Sequence, residues 1–160
     1  MKASSKYDPS FNLSKVFDLK VLKCFMAKEL EEVVCGEKGQ KWELSVLTDS
    51  IQASHGYDKA SLQYLYLLEY MSKLDKAMQK LFLKYVTGSP RLPFGGFGKL
   101  NPVLTIAKRL TPEGDCPDLY LPSVMTCQNY LKVPEYSSSE ILTQRFDYAL
   151  KEGQNSFTLS

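Results

Sequence analysis

One cysteine stands among side chains that could support nucleophilic chemistry. Cys127 lies between Thr126 and Gln128, and Ser123 and Asn129 are close to it along the chain. Hydroxyl and amide groups of this kind can stabilise a thiolate and the negative oxygen of a tetrahedral intermediate. The segment therefore predicts a thiol nucleophile. The alternative is a buried, inert cysteine, because free cysteine often packs as a small hydrophobic residue.

Two prolines restrict the conformation of the segment that carries this thiol. Pro122 and Pro134 stand on either side of Cys127. Proline fixes its own φ and disfavours helix at the residue before it. We therefore expect an extended, non-helical run between the prolines, with Cys127 exposed in the loop that feeds a strand at the end of a small sheet.

Motifs in four parts of the chain resemble HECT-type ubiquitin ligases. Around the thiol the pattern is Leu-Pro, Thr-Cys, an Asn two residues after the Cys, and Leu-x-x-Pro-x-Tyr, which runs here from Leu121 to Tyr136. Residues 80–100 resemble the family's helix and Gly-Gly turn, and residues 25–36 resemble the last helix of its N-lobe. Phe157 matches the phenylalanine of the family's C-terminal tail. The details are most similar to the ubiquitin-fusion-degradation branch.

The resemblance implies an α+β fold, in which a small sheet has helices packed to one side. Residues 1–38 would be a disordered start and a remnant of the N-lobe with its hinge, and residues 39–160 would be the C-lobe. Cys127 would accept ubiquitin as a thioester from a conjugating enzyme and pass it to a substrate lysine. Phe157 would anchor the tail.

Three further residues are candidates to assist the two transfer steps. Thr126 and Asn129 could support the thioester and the developing oxyanion. Past Glu152 the tail has no acidic side chain, so the terminal carboxylate of Ser160 is its only negative group and could assist the attacking lysine.

Two departures from the family pattern leave an alternative open. Met125 stands where many members have a histidine two residues before the thiol. Most of the N-lobe, which docks the conjugating enzyme in the family, has no counterpart here, so the transferase is expected to recruit its donor poorly. The alternative is a non-catalytic ubiquitin-binding or regulatory fragment, and a third reading is a domain in which the thiol is merely structural.

Composition indicates a small domain without a nucleic-acid or membrane partner. The chain has 160 residues, 44% hydrophobic and 24% charged, and a net charge of +2 with both signs mixed. No apolar run reaches the length of a membrane span. Residues 1–12 are polar and show no signal-peptide pattern, which favours the cytoplasm or the nucleus.

The cysteines and the single histidine do not predict a metal site or a cofactor. Cys24, Cys35, Cys116 and Cys127 contain no Cys-x-x-Cys pair, and His55 is distant from all four in sequence. A disulfide between Cys116 and Cys127 is conceivable but would consume the nucleophile. His55 is expected to satisfy a local group in a loop; a papain-like dyad would require the fold to return it to the thiol.

Local signals predict the main elements. Asp58 and Asp75 are candidate N-caps, Ser137 with Glu140 forms a capping box, and Gly88 and Gly153 are candidate helix ends. The glycine loop at residues 93–99 lacks the Gly and Ser/Thr positions of a phosphate-binding loop, so we expect a turn. The predicted helices are 42–51, 59–73, 76–87 and 138–152, and the predicted strands are 103–107 and 128–133.

Overall fold

The computed structural model describes residues 42–157, and for residues 153–157 it describes the backbone alone. Within this range the chain forms four helices and four strands. The helices are α1 (Leu44–Ser50), α2 (Leu62–Lys73), α3 (Lys76–Thr87) and α4 (Ser139–Phe157), and the strands are β1 (Gln52–Ser54), β2 (Thr105–Lys108), β3 (Ser123–Met125) and β4 (Tyr130–Val133). The predicted α+β class is confirmed. The predicted boundary at residues 38 and 39 lies outside the described residues and stays a prediction.

The four strands form one mixed sheet in the order β1-β2-β4-β3. Strands β1, β2 and β4 are parallel, and β3 pairs antiparallel with β4 at the edge. Ile106 pairs with Leu131, and Leu131 also pairs with Val124, so these apolar side chains share one face. The predicted strands β2 and β4 are confirmed. β1 and β3 were missed because a strand of three residues is too short to show an alternating pattern.

The helices cover the apolar face of the sheet and form one core with it. Ile106 and Leu131 are fully buried in the same cluster as Phe82 of α3 and Phe146 of α4, whose rings stack at 6.3 Å between centroids. Burial of each such side chain stabilises the fold by about 1.5–3 kcal/mol. The opposite face carries polar and half-exposed side chains, so all the packing that holds the sheet comes from one side.

Helix α3 begins and ends where the sequence predicts. The Asp75 carboxylate accepts a hydrogen bond from the Met78 backbone nitrogen at 2.8 Å, which makes Asp75 the N-cap. Gly88 ends the helix in the left-handed conformation, with φ of 78°. Both signals are local, so tertiary packing did not override them.

Helix α2 begins later than predicted, and Asp58 is not its cap. The helix starts at Leu62, after Ser61. The Asp58 carboxylate instead accepts from the Ala60 nitrogen at 2.9 Å and from the Ser61 hydroxyl. These bonds close a separate turn before the helix, and they lower the pKa of Asp58 below its usual value.

Both predicted ends of helix α4 are also wrong. The Ser138 hydroxyl, not that of Ser137, accepts a hydrogen bond from the Ile141 nitrogen, while Ser137 donates its hydroxyl to Asp118 at 2.7 Å. At the other end the helix continues through Gly153 to Phe157. A single interior glycine costs a helix only about 1 kcal/mol, which the surrounding turns can offset. Within residues 42–157 no helix combines the length and apolarity that crossing a membrane requires.

Candidate active site

Cys127 lies at the tip of the hairpin that joins β3 to β4. A 3₁₀ turn, Thr126–Gln128, reverses the chain between the two strands. The expectation of an extended conformation at the thiol is therefore wrong, because antiparallel neighbours need a tight turn between them. The expected exposure is confirmed: Cys127 is a free thiol at the surface, beside the start of a strand at the end of the sheet.

Asn129 fixes the shape of this turn from beneath. Its backbone is left-handed, with φ of 47° and ψ of 44°, and only 6% of the residue is exposed. Its side-chain amide donates to the Pro102 carbonyl at 2.7 Å, and its backbone carbonyl accepts from the Thr105 nitrogen at 3.0 Å. The amide is thus engaged in holding the turn onto the start of β2. Its role in oxyanion support stays a prediction.

A pocket of about 600 Å³ opens beside the thiol. Cys127 and Thr126 form one side of it, and the opposite side comes from the loops that follow α3, including Arg91, Phe94 and Lys99. Phe94 is 62% exposed, so an aromatic ring stands at the mouth. The arrangement can admit an extended chain or a long side chain to the sulfur.

The glycine loop that forms the far wall is anchored to the core. Gly95 has φ of 89°, and a Cβ added there would lie 2.7 Å from Cγ of Lys99. The next residues form a 3₁₀ turn, Gly96–Lys99, which confirms the predicted turn. Phe97 is buried and packs edge-to-face on Trp42, with ring centroids 4.9 Å apart. The loop is therefore a fixed wall of the pocket.

Long-range hydrogen bonds hold the segment that leads into β3. Tyr85 donates its hydroxyl to the Pro122 carbonyl at 2.7 Å, and Arg109 donates to the Leu121 carbonyl. Tyr136 donates to the Tyr120 carbonyl at 2.8 Å. Burial raises the pKa of both tyrosines, so their hydroxyls remain protonated donors. Sequence reasoning missed these residues, and since Tyr85 lies 37 positions from its acceptor no local signal could have shown them.

The single histidine lies elsewhere on the sheet. The His55 Nδ1 atom is 2.8 Å from the Ser54 hydroxyl and 2.7 Å from the Tyr130 hydroxyl. The contact with Ser54 is local, as expected, although it is made to a side chain and not to the backbone. His55 is not among the described residues that line the pocket beside Cys127. The fold therefore does not return an imidazole to the thiol.

The other candidate residues are only partly accessible to description. Phe157 is the last residue of α4, and its side chain is not described; Ser160 lies outside the described residues, as do Cys24 and Cys35. Cys116 is a free, exposed thiol, so it does not bridge to Cys127. Among residues 42–157 no group of three His, Cys, Asp or Glu side chains is placed to hold a metal ion.

Comparison with known proteins agrees with the resemblance seen in the sequence. A family model described as HECT-domain (ubiquitin-transferase) matches residues 11–160. The E3 ubiquitin-protein ligase TRIP12 of Danio rerio is 47% identical over 91% of the chain and 7% of its own length. A probable ubiquitin fusion degradation protein of Schizosaccharomyces pombe is 47% identical over 92% of the chain and 9% of its own length. Ubiquitin fusion degradation protein 4 of Saccharomyces cerevisiae is 39% identical over 92% of the chain and 10% of its own length. The expected branch is confirmed, and the chain spans a tenth or less of these relatives.

Proposed function

The chain belongs to the HECT-domain family of ubiquitin transferases, and on that premise we propose that it accepts ubiquitin as a thioester on Cys127 from a conjugating enzyme and passes it to a substrate lysine. The observation that carries the proposal is the position of Cys127. Its free thiol is exposed at the tip of a hairpin whose shape is fixed from below, at the edge of a pocket. We also propose that the protein acts in the cytoplasm or the nucleus.

The first transfer exchanges one thioester for another. The Cys127 thiolate attacks the carbonyl carbon of the arriving ubiquitin thioester, a new carbon–sulfur bond forms, and the conjugating enzyme's cysteine leaves as a thiolate. The acyl group stays equally activated, so the step needs thiolate, access and donors for the oxyanion more than a strong base. Thr126 is exposed beside the thiol and is the candidate donor from the turn.

The second transfer consumes the Cys127 thioester. A substrate lysine must reach the carbonyl carbon as a neutral amine; its nitrogen bonds to that carbon, the sulfur leaves, and a proton is lost from the nitrogen. A free lysine has a pKa of about 10.4, so the proton must be removed or its loss favoured near neutral pH. We propose that the terminal carboxylate of Ser160 assists this step and that Phe157 holds the tail in place for it.

Three proteins test the assignment of the nucleophile. Wild type, Cys127→Ala and Cys116→Ala are incubated with ubiquitin that bears a C-terminal electrophile. We expect a covalent adduct with wild type and with Cys116→Ala, which keeps Cys127 and removes the other exposed free thiol of the described chain. The adduct should vanish in Cys127→Ala. Persistence of the adduct in Cys127→Ala would refute the assignment.

A turnover measurement separates the transferase from the second candidate, a ubiquitin-binding or regulatory fragment. Ubiquitin supplied as a small-molecule thioester should load Cys127 without a conjugating enzyme, and the loaded protein should discharge to free lysine. Loading without discharge would favour the fragment. A two-residue glycine extension after Ser160 moves the terminal carboxylate. It should slow discharge while loading continues, and undiminished discharge would argue against the role of the tail.

A further inference from the structure

The pocket beside Cys127 is lined by positive charge. Arg91 and Lys99 contribute two cationic side chains, and none of the described lining residues is an aspartate or a glutamate. Both cations are exposed, so they are hydrated and available to a ligand that enters. The remaining lining consists of apolar groups, hydroxyls and amides. A group with negative charge is the complement of this surface.

Lys99 is held over the glycine loop along the length of its side chain. Its Cγ, Cδ and Cε atoms would lie 2.7, 3.7 and 3.5 Å from a Cβ at Gly95, so the stem runs along the face where Gly95 has no side chain. The backbone of Lys99 belongs to the 3₁₀ turn that begins at Gly96. A lysine whose stem is packed presents its ammonium group from a defined place, which favours a specific contact over a diffuse one.

We propose that this pocket binds a carboxylate of the acceptor protein next to the lysine that attacks the Cys127 thioester. The proposal rests on the proposed function. The ubiquitin carboxyl group is uncharged once it forms the thioester, so the donor brings no carboxylate to this surface at the reacting carbon. An acceptor lysine alone would be repelled by Arg91 and Lys99. An acidic neighbour offsets that repulsion, so acceptor lysines flanked by Asp or Glu are preferred.

The charge of the pocket is tested by small thiol reagents, without ubiquitin. An anionic and a cationic methanethiosulfonate of similar size both modify Cys127, and the ratio of their rates cancels any difference in thiolate content. Lys99→Gln should lower the anionic-to-cationic ratio roughly two- to fivefold at low salt, the effect of one charge acting across a water-filled pocket of this width. Adding salt to about 1 M should remove the preference in wild type.

The chain supplies matched controls for this measurement. Lys99→Arg keeps the charge and should keep the ratio, while Lys80→Gln removes an exposed lysine that does not line the pocket and should leave it unchanged. Cys116 is an internal reference, because it is an exposed free thiol with Asp115 beside it in sequence. Its ratio should be lower than that of Cys127 and should not respond to Lys99→Gln. Peptide mass spectrometry assigns each modification to its cysteine.

Discharge to peptides then tests the acceptor preference. Cys127 is loaded from a ubiquitin thioester and offered a lysine peptide with a neighbouring Glu, or the same peptide with Gln. Wild type should discharge faster to the Glu peptide, and Lys99→Gln should bring the two rates together. Equal rates in wild type, or a reagent ratio that ignores Lys99→Gln, would overturn the proposal. Failure to load Cys127 would instead refute the proposed function, because the reagent ratio does not depend on loading.

Discussion

Asn129 is the residue on which the geometry of the thiol turn depends, and three substitutions separate its two contributions. The residue is left-handed, at φ of 47°, and its buried amide donates to the Pro102 carbonyl at 2.7 Å. Asn129→Ala loses both features. Left-handed backbone costs a residue with a Cβ about 1–2 kcal/mol, and a buried carbonyl left without its donor costs about 1–3 kcal/mol. We expect Asn129→Ala to lower the free energy of unfolding by about 2–5 kcal/mol.

Asn129→Gly and Asn129→Asp each change one contribution. Glycine tolerates the left-handed backbone but lacks the amide, and its unfolded chain is more flexible by about 0.5–1 kcal/mol. It should therefore be more stable than Asn129→Ala by about 0.5–1 kcal/mol. The aspartate places a carboxylate against the Pro102 carbonyl, which raises its folded-state pKa above the unfolded value of about 3.9. Its stability should be greatest below that value and should fall as the pH rises through the folded-state pKa.

Urea unfolding of the four proteins at pH 4 and pH 7 measures these differences. Equal stability of Asn129→Ala and Asn129→Gly would refute the argument from backbone conformation, and a deficit of Asn129→Asp that does not change with pH would refute the argument from the amide. Rates of Cys127 loading by a ubiquitin thioester, divided by rates with a small alkylating reagent, address catalysis. If Asn129 supports the oxyanion, the quotient falls in all three variants, whereas a purely positional role lowers both rates together.

Three further predictions concern the surroundings of the site. Gly95→Ala should be destabilised by about 1–3 kcal/mol more than Gly114→Ala in urea unfolding, because both have positive φ, 89° and 85°, but only Gly95 has an atom of Lys99 where the Cβ would be; equal losses would contradict this. Arg109→Lys should speed amide hydrogen exchange across β3, since lysine lacks the planar fork that reaches the Leu121 carbonyl; unchanged exchange would show that Tyr85 suffices. Burial, with the Asp147 hydrogen bond, raises the pKa of Tyr70 above its ordinary value of 10, so its contribution to stability is complete below pH 10 and is lost as the pH rises through the folded-state pKa. Tyr70→Phe should weaken the alkaline fall of stability in urea titrations, and an identical fall would refute the assignment.

The sequence predicts an element well where its signals are local and agree with one another. Helix α3 has an aspartate cap, a periodic apolar stripe and a closing glycine, and all three act within the helix itself. The capping residues failed where two neighbours compete. Ser137 and Ser138 are equivalent in pattern, and only the position of Asp118 across the fold decides that Ser137 bonds elsewhere. Asp58 lost its cap role in the same way, to a turn of its own.

The site was predictable in its chemistry but not in its support. Cys127 and its polar neighbours are adjacent in sequence, so the nucleophile could be found from residue types. The residues that hold the hairpin in place are not adjacent to it. Asn129 reaches Pro102, and Tyr85 reaches Pro122, through contacts that exist only once the strands have paired. A left-handed asparagine is favoured in tight turns, and this was the one local signal that could have indicated a turn at the thiol.

The position of His55 has a consequence for how the lysine loses its proton. The only imidazole of the chain is bonded to Ser54 and Tyr130, and Met125 occupies the position of the family's histidine, so no imidazole lies beside the thiol to serve as the base. A positively charged pocket offers a different route. A cation near an ammonium group favours the neutral amine, so Lys99 and Arg91 lower the pKa of a lysine that approaches the thioester. The charge that selects an acidic neighbour thereby also prepares the nucleophile. If this is correct, the discharge rate of Lys99→Gln should need a higher pH to reach half its maximum than that of wild type, and identical pH profiles would refute it.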